Sequence, residues 1–414
     1  MVPGMPDKAQ EFDVIVVGGG PGGSTCASFC SKAGLKTLLL EASKFPRDKV
    51  CGDAISGKSI GILRELGIEA EMQNILHGRV NGVLLSSPKG TLLEVPIPQT
   101  FKDRESYGYC SRRMVYDNFL FQHAKKLAVT MEEFRVTDLV REGSQVVGVK
   151  GLDLKTRQEK EFRAKMVVGA DGANSVVAMK TGLHEVDPNH SCIALRAYYE
   201  GITGMKNLIE IHFLEEVLPG YFWIFPLENG LANVGVGMIT HDLRKSNKKL
   251  EEALNNAIQS KLFRERFKDA KLIAPIRGWT LPFGSKHRKC YGNGFVLLGD
   301  AASLIDPFSG EGIGNAMTSG RTAARIIKQA FEAGDFSEAF LKKYDATLWQ
   351  EIGPELQTSL MLQKVGRNTM LLNMIISKAA KNKHLRDLIS GTLVNEVPKK
   401  TLADPLFLLK VLVS

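Results

Sequence analysis

Three glycines in one short loop carry the first chemistry in this chain. Gly18, Gly20 and Gly23 stand in "GGGPGG" at G-x-G-x-x-G spacing, with Gly22 inside the run. The first permits a tight turn, the second lets a pyrophosphate reach the backbone, and the third lets helix and strand pack closely. Free N–H groups of a helix behind such a turn bind phosphate, and the helix dipole favours the anion. Glu41 lies 18 residues after Gly23, where a carboxylate can accept the hydroxyls of a dinucleotide ribose. The pattern predicts a bound adenine dinucleotide and does not separate FAD from NAD.

These residues need a strand, a helix and a second strand around them. "FDVIVV" predicts a buried strand, a helix follows from about Ser24 to Ala33, and "KTLLLEA" supplies the second strand. Further along, a helix is expected from about Met114 to Leu127. Residues 144–170 read as a β-meander and residues 192–240 as antiparallel strands. "FVLLGDAA" at 295–302 is a buried strand running into a glycine-rich turn and a long helix, and the chain is helical from about Asp335. Nucleotide-binding signals at both ends of a β-rich middle predict one α/β domain interrupted by another.

Composition narrows the class. The chain has 414 residues, a net charge of +9 and 24% charged residues. That balance favours anionic partners, either phosphates or acidic lipid headgroups. Basic blocks with interleaved aromatics are missing, so nucleic acid is not expected. The six cysteines show neither a disulfide framework nor zinc spacing, so no metal is expected and a reducing cytoplasm fits. No apolar run is long enough for a transmembrane helix, and the N-terminus lacks a signal-peptide pattern.

Two later stretches decide the cofactor. "VVGADGANSVV" and "VLLGDAASLIDPFSGEGIGNAMTSGRTAA" resemble the FAD-dependent monooxygenases and reductases with the p-hydroxybenzoate hydroxylase-like fold. The resemblance implies that Asp300 binds the ribityl chain and that Gly312 and Ile313 face the flavin. "RRMVYDNFL" is similar to that family's R-x-x-F-D segment, which implies Arg113 as a contact on the phosphate or ribityl side; Tyr116 replaces the usual Phe. Gly52, Ala54 and Val136 are implied as further FAD contacts. The implied layout is a Rossmann-like FAD-binding domain at 1–75, 105–185 and 285–345. A β-rich substrate domain occupies 76–104 and 186–284, and a C-terminal helical segment 346–414.

"FPRDKVCGDAIS" and "PGYFWIFPLENGLANVGVGM" narrow this further. Their C-G-[DE] segment, and Y-x-W-x-F-P followed by G-x-G, resemble the geranylgeranyl reductase family, archaeal digeranylgeranylglycerophospholipid reductases in particular. The resemblance implies that reduced FAD saturates C=C bonds of geranylgeranyl-type chains on a lipid or diphosphate. It places Cys51 at the flavin, as a cofactor contact and a candidate catalytic thiol. Asp53 is expected behind it, and Lys49 and Arg47 are candidate phosphate anchors or simply a solvated basic turn. The reductant is expected to be NAD(P)H or a reduced ferredoxin-like protein, because no second G-x-G-x-x-G is present. The alternative is a flavin-dependent halogenase or aromatic monooxygenase of the same fold, with Lys58 as the tempting halogenating lysine.

Tyr221, Trp223 and Phe225 share one strand face, either as core or as the wall of an apolar tunnel. Asn229-Gly230 predicts a two-residue hairpin turn. Phe225 would then oppose Val234, Trp223 oppose Val236 and Tyr221 oppose Met238, leaving Gly235 and Gly237 opposite Ile224 and Phe222. In the C-terminal part, "LLNMIISKAAKNKHLRDLI" places Leu371, Leu372, Met374, Ile375, Ile376, Leu385, Leu388 and Ile389 among basic residues. That pattern fits a helix at the inner membrane surface or ordinary packing with a solvated basic face.

Overall fold

The computed structural model describes residues 10–97, 100–101, 104–105, 108–383 and 385–387. Two large sheets organise them. In the first, Gln10–Val17 runs parallel to Thr37–Leu40 on one side and to Glu159–Gly169 on the other. Val129–Met131 extends the sheet beyond Thr37–Leu40. Phe295–Leu297 also pairs in parallel with the end of Glu159–Gly169, so the first and last buried strands flank a common neighbour. Gln145–Asp153 and Phe134–Glu142 continue antiparallel, as the expected meander. Val14, Ile15, Val16, Leu39, Met166, Val167 and Val168 are all but fully buried, as strands covered on both faces must be.

The helix after the glycine loop is Pro21–Lys32, with proline in its first turn, where the missing N–H and fixed φ suit it. The expected start at Ser24 is therefore three residues late. The long helix Ile313–Ala333 begins beside Gly312, as expected. The two helices cross backbone to backbone. A Cβ on Gly320 would lie 2.4 Å from the Gly22 carbonyl oxygen, and one on Gly22 would lie 3.0 Å from that of Ala316.

The second sheet has the order Lys271–Pro282, Ser191–Glu200, Leu231–Ile239, Tyr221–Pro226, Leu208–His212, Gly82–Ser86, Leu92–Pro96. All its neighbours are antiparallel except Leu208–His212 with Gly82–Ser86. Phe222, Ile224, Val234 and Val236 form one face and pack with Leu254, Ala257 and Phe263 around the helix Leu250–Gln259.

The hairpin register departs from expectation by one residue. Tyr221 opposes Gly237, Trp223 opposes Gly235 and Phe225 opposes Asn233. The loop has three residues, closed by the Leu227 N–H donating to the Leu231 carbonyl at 2.9 Å. Asn229 and Gly230 both take left-handed backbone, at φ 55° and 74°, which adds Glu228 to the turn. A one-residue slip changes every facing pair. The glycines therefore lie beside the aromatics, not behind Phe222 and Ile224. The indole explains the choice, because a Cβ on Gly235 would come within 2.3 Å of Trp223 Cζ2.

The chain ends in two described helices, Glu338–Gly366 and Thr369–Lys381. Leu372, Ile376, Ala379 and Leu385 pack on Leu93 and Val95 of the second sheet and on Phe213 just past its strand Leu208–His212, so part of the apolar face has an ordinary packing role. Leu388, Ile389 and residues 391–414 lie outside the described residues. Among the described residues, no helix is long and apolar enough to cross a membrane.

Candidate active site

The dinucleotide cradle is built by backbone. Gly18 has φ +102°, and a Cβ there would meet the Ala170 carbonyl at 2.4 Å. A Cβ on Gly23 would overlap the Gly18 carbonyl at 1.8 Å, so the helix can approach the strand only without it. Above Gly20 the sole neighbour of an added Cβ is Arg47 Nη2 at 3.7 Å, which leaves an open approach to the loop. The helix Pro21–Lys32 has no side-chain cap at its N-terminus, and neither does Ile313–Ala333. Two uncapped helix starts on adjacent helices leave free N–H donors for both ends of an extended anionic ligand. These features fit FAD.

Glu41 is held in place by backbone. Its Oε2 accepts the Gly19 N–H and its Oε1 the Ser43 N–H, both at 2.9 Å. Arg47 lies 4.0 Å from Glu41 and donates to Asp117 at 2.5 Å. Arg113 holds the same Asp117 in a fork, at 2.5 and 2.7 Å. Asp117 is fully buried; burial alone would raise its pKa, but the Arg113 and Arg47 guanidiniums outweigh it and hold the carboxyl below its usual range. Arg113 thus stands beside the turn as a charge already paired, and its guanidinium lowers the pKa of the nearby Cys51 thiol.

The second glycine loop is tied to the aromatic strand. The Tyr221 hydroxyl donates to the Ser309 carbonyl at 3.0 Å. Asp306 Oδ1 accepts the N–H groups of Phe308 and Ser309, which shapes the loop ahead of Gly310. Asp300 accepts Lys49 Nζ at 3.1 Å. Gly312 approaches Asp300 so closely that an added Cβ would be 3.6 Å from Oδ1, and Ile313 is buried behind it. Lys58 is fully engaged with Asn315 at 2.9 Å and with Glu355, and Glu311 lies 4.0 Å away. A lysine so held is a poor halogenating group.

The C-G-D turn packs directly on the aromatic strand. A Cβ on Gly52 would lie 3.0 Å from the Phe225 ring and 4.0 Å from Trp223 Nε1. Trp223 is nearly buried, while Phe225 and Tyr221 remain half-buried. Burial pushes the Cys51 thiol pKa up, with Arg113 opposing, so the sulfur keeps its proton near neutral pH. Asp53 has left-handed backbone at φ 68° and is fully buried. It accepts Tyr198 Oη at 2.8 Å, Asn233 Nδ2 at 2.7 Å and the Arg113 N–H at 3.3 Å. Burial pushes it up to about 6, against those hydrogen bonds and the charges of Arg196 and Arg113.

Other expected residues stand farther out. Ala54 is in the short strand beside this turn and pairs with Cys110. Val136 is buried in the core of the first sheet, two residues after the Phe134 N–H that donates to the Glu41 carbonyl. Gly22 serves the helix crossing. Among the described residues no cluster of three or more potential metal ligands occurs. Sequence reasoning missed Asp117, Asn233, Tyr198 and Arg196. Arg196 is almost fully buried, pairs with Asp48 at 2.7 Å and lies over the Tyr198 ring. Only the second position of "YD" in "RRMVYDNFL" offered a signal, since its carboxylate falls one helical turn after Arg113.

The fold and cradle define a flavoprotein, and a family profile for the FAD binding domain matches residues 11–349. A digeranylgeranylglycerophospholipid reductase of Methanopyrus kandleri is 31% identical over 97% of this chain and 98% of its own length. The chain belongs to the digeranylgeranylglycerophospholipid reductase family of FAD-binding oxidoreductases. Among solved structures, a geranylgeranyl bacteriochlorophyll reductase-like protein from Thermoplasma acidophilum matches with a TM-score of 0.83 at 25% identity, covering 98% of this chain and 96% of that one. A flavin-dependent brominase matches with a TM-score of 0.76 at 24% identity over 93% of each chain, a likeness of fold alone.

Proposed function

We propose that this protein saturates C=C bonds of geranylgeranyl-type chains carried on a glycerophospholipid or diphosphate. One observation carries the reading: the Cys51–Gly52–Asp53 turn closes directly against Trp223 and Phe225, beside the loop that the family uses for the flavin. Saturating one bond needs a hydride, which reduced FAD supplies when bound, and a proton at the other carbon. Gly18, Gly20 and Gly23 would hold its pyrophosphate, Glu41 its ribose, Asp300 its ribityl chain, and the Gly312–Ile313 helix start its flavin end. Trp223 and Phe225, with the turn packed on them, would form a rigid apolar wall along which the alkene lies. An isolated alkene is a poor hydride acceptor, so this placement supplies much of the rate. The Cys51 Sγ–H is the candidate proton at that turn, kept as a thiol by burial against the opposing charge of Arg113.

NAD(P)H or a reduced ferredoxin-like protein delivers the electrons, and the enzyme works at the inner face of the cell membrane. Support for the surface is the basic C-terminal part, with Met361 and Met370 exposed at 55% and 81%. The test is anaerobic incubation of dithionite-reduced protein with a digeranylgeranyl phospholipid, geranylgeranyl diphosphate and menaquinone. A mass gain of one H₂ per saturated bond is expected without oxygen. No gain on any of the three would sink the reading, and turnover only with oxygen would move it to the halogenase class.

A further inference from the structure

Asn233 is a carboxamide buried in the middle of the second sheet, fully shielded from solvent. Its strand neighbours are Ala232 and Val234, and it lies directly between Tyr198 and Phe225 across the strands. Burying an amide there costs free energy unless it is hydrogen-bonded. It makes three bonds. Its Oδ1 accepts Trp223 Nε1 at 2.8 Å, and its Nδ2 donates to the Cys51 carbonyl and to Asp53 Oδ2, each at 2.7 Å. The orientation is forced by chemistry. An indole N–H can only donate, so it must meet the oxygen; a backbone carbonyl can only accept, so it must meet the nitrogen.

This single side chain therefore ties the aromatic strand to the thiol turn. No neighbouring amino acid type reproduces the pattern. Aspartate keeps the acceptor for Trp223 but turns an oxygen toward the Cys51 carbonyl and sets a second carboxyl against Asp53. Glutamine is one methylene too long. Asp53 completes the tie from below, itself held by Tyr198 and by the Arg113 backbone. The structure assigns Asn233 the part of a positioning residue. It sets the separation and tilt between the Trp223 indole and the Cys51 turn, and so decides how deeply a polyprenyl chain seats and which double bond is presented. This rests on the isoprenoid-reductase reading above for the nature of the chain, but not for the tie itself.

The test uses the full-length FAD-loaded protein and the variant N233D. Flavin absorbance should show FAD retained. Alkylation of Cys51 by iodoacetamide, followed by peptide mass, should speed up about tenfold as the turn is released. With a digeranylgeranyl phospholipid and dithionite, kcat should fall about tenfold while KM stays within about twofold, the signature of lost placement and not lost binding. Products should stall as partly saturated chains. If N233D does not fold, W223F removes the indole donor together with part of the ring and should shift alkylation in the same direction. Wild-type alkylation rates in the variants that fold would overturn the proposal, and so would a wild-type product pattern from an N233D protein that turns over. If the wild-type protein reduces no isoprenoid, the functional reading fails, yet the alkylation arm still decides whether Asn233 ties the turn.

Discussion

At the scale of single residues, Asp53 is a fully buried carboxylate whose charge works against folding. Its folded-state pKa is raised to about 6 from 3.8, so the folded protein binds this proton more tightly than the unfolded chain does. The burial penalty is absent below the unfolded value, grows as pH rises through the window between the two, and is full above about 6. A shift of this size corresponds to roughly 3 kcal/mol. D53N keeps an oxygen acceptor for Tyr198 and Asn233, gives up only the long 3.3 Å bond from the Arg113 N–H, and tolerates left-handed backbone. It should raise the thermal midpoint at pH 8, with the gain shrinking as pH is lowered to 4.5; an equal gain at both pH values would show that charge is not the cause. The residues of this cluster were only partly legible in the sequence. Cys51, Trp223 and the glycines announce themselves by type and local spacing. Asn233 and Tyr198 are common residue types, and their meaning comes from partners 180 and 145 positions away.

The hairpin shows the same limit at the scale of elements. Both strands, the turn and the aromatic face could be read from alternation and from Asn229-Gly230. The register could not, because two-residue and three-residue loops both suit that dipeptide and differ only in how Glu228 is used. Packing of the indole on a bare backbone decides between them. G235A should therefore be severe: the added methyl would meet both the Trp223 ring and the Leu195 carbonyl, at 2.3 and 2.2 Å. Its thermal midpoint should drop, and any protein that folds should retain FAD better than activity. G61A is the matching control. Gly61 lies inside the helix Gly57–Leu66 with nothing within 4 Å of an added Cβ, so the substitution should stabilise by about 0.5–1 kcal/mol. A G235A midpoint equal to wild type would contradict the register argument.

For the whole molecule, the helix Thr369–Lys381 covers the outer strands of the second sheet, on the side where Tyr221 and Ile211 also lie. Flotation with anionic liposomes at low salt should carry the protein upward, and K378E/K381E should weaken that binding with FAD content unchanged. Failure of the wild-type protein to float would remove the membrane surface from the account. The α/β layout was legible because phosphate loops and buried strands are local signals; how the C-terminal helix meets the sheet was not, since either packing or a membrane would use the same apolar face. The contact of Gly22 with Gly320 has a consequence of its own. The helices that begin at the two glycine loops touch through main chain where Gly320 meets the Gly22 carbonyl, with only the small Ala316 methyl beside them. The span between their two starts is thus a backbone dimension, a fixed calliper, and substitutions that reshape the lipid cleft can accumulate without changing the length of cofactor the protein accepts.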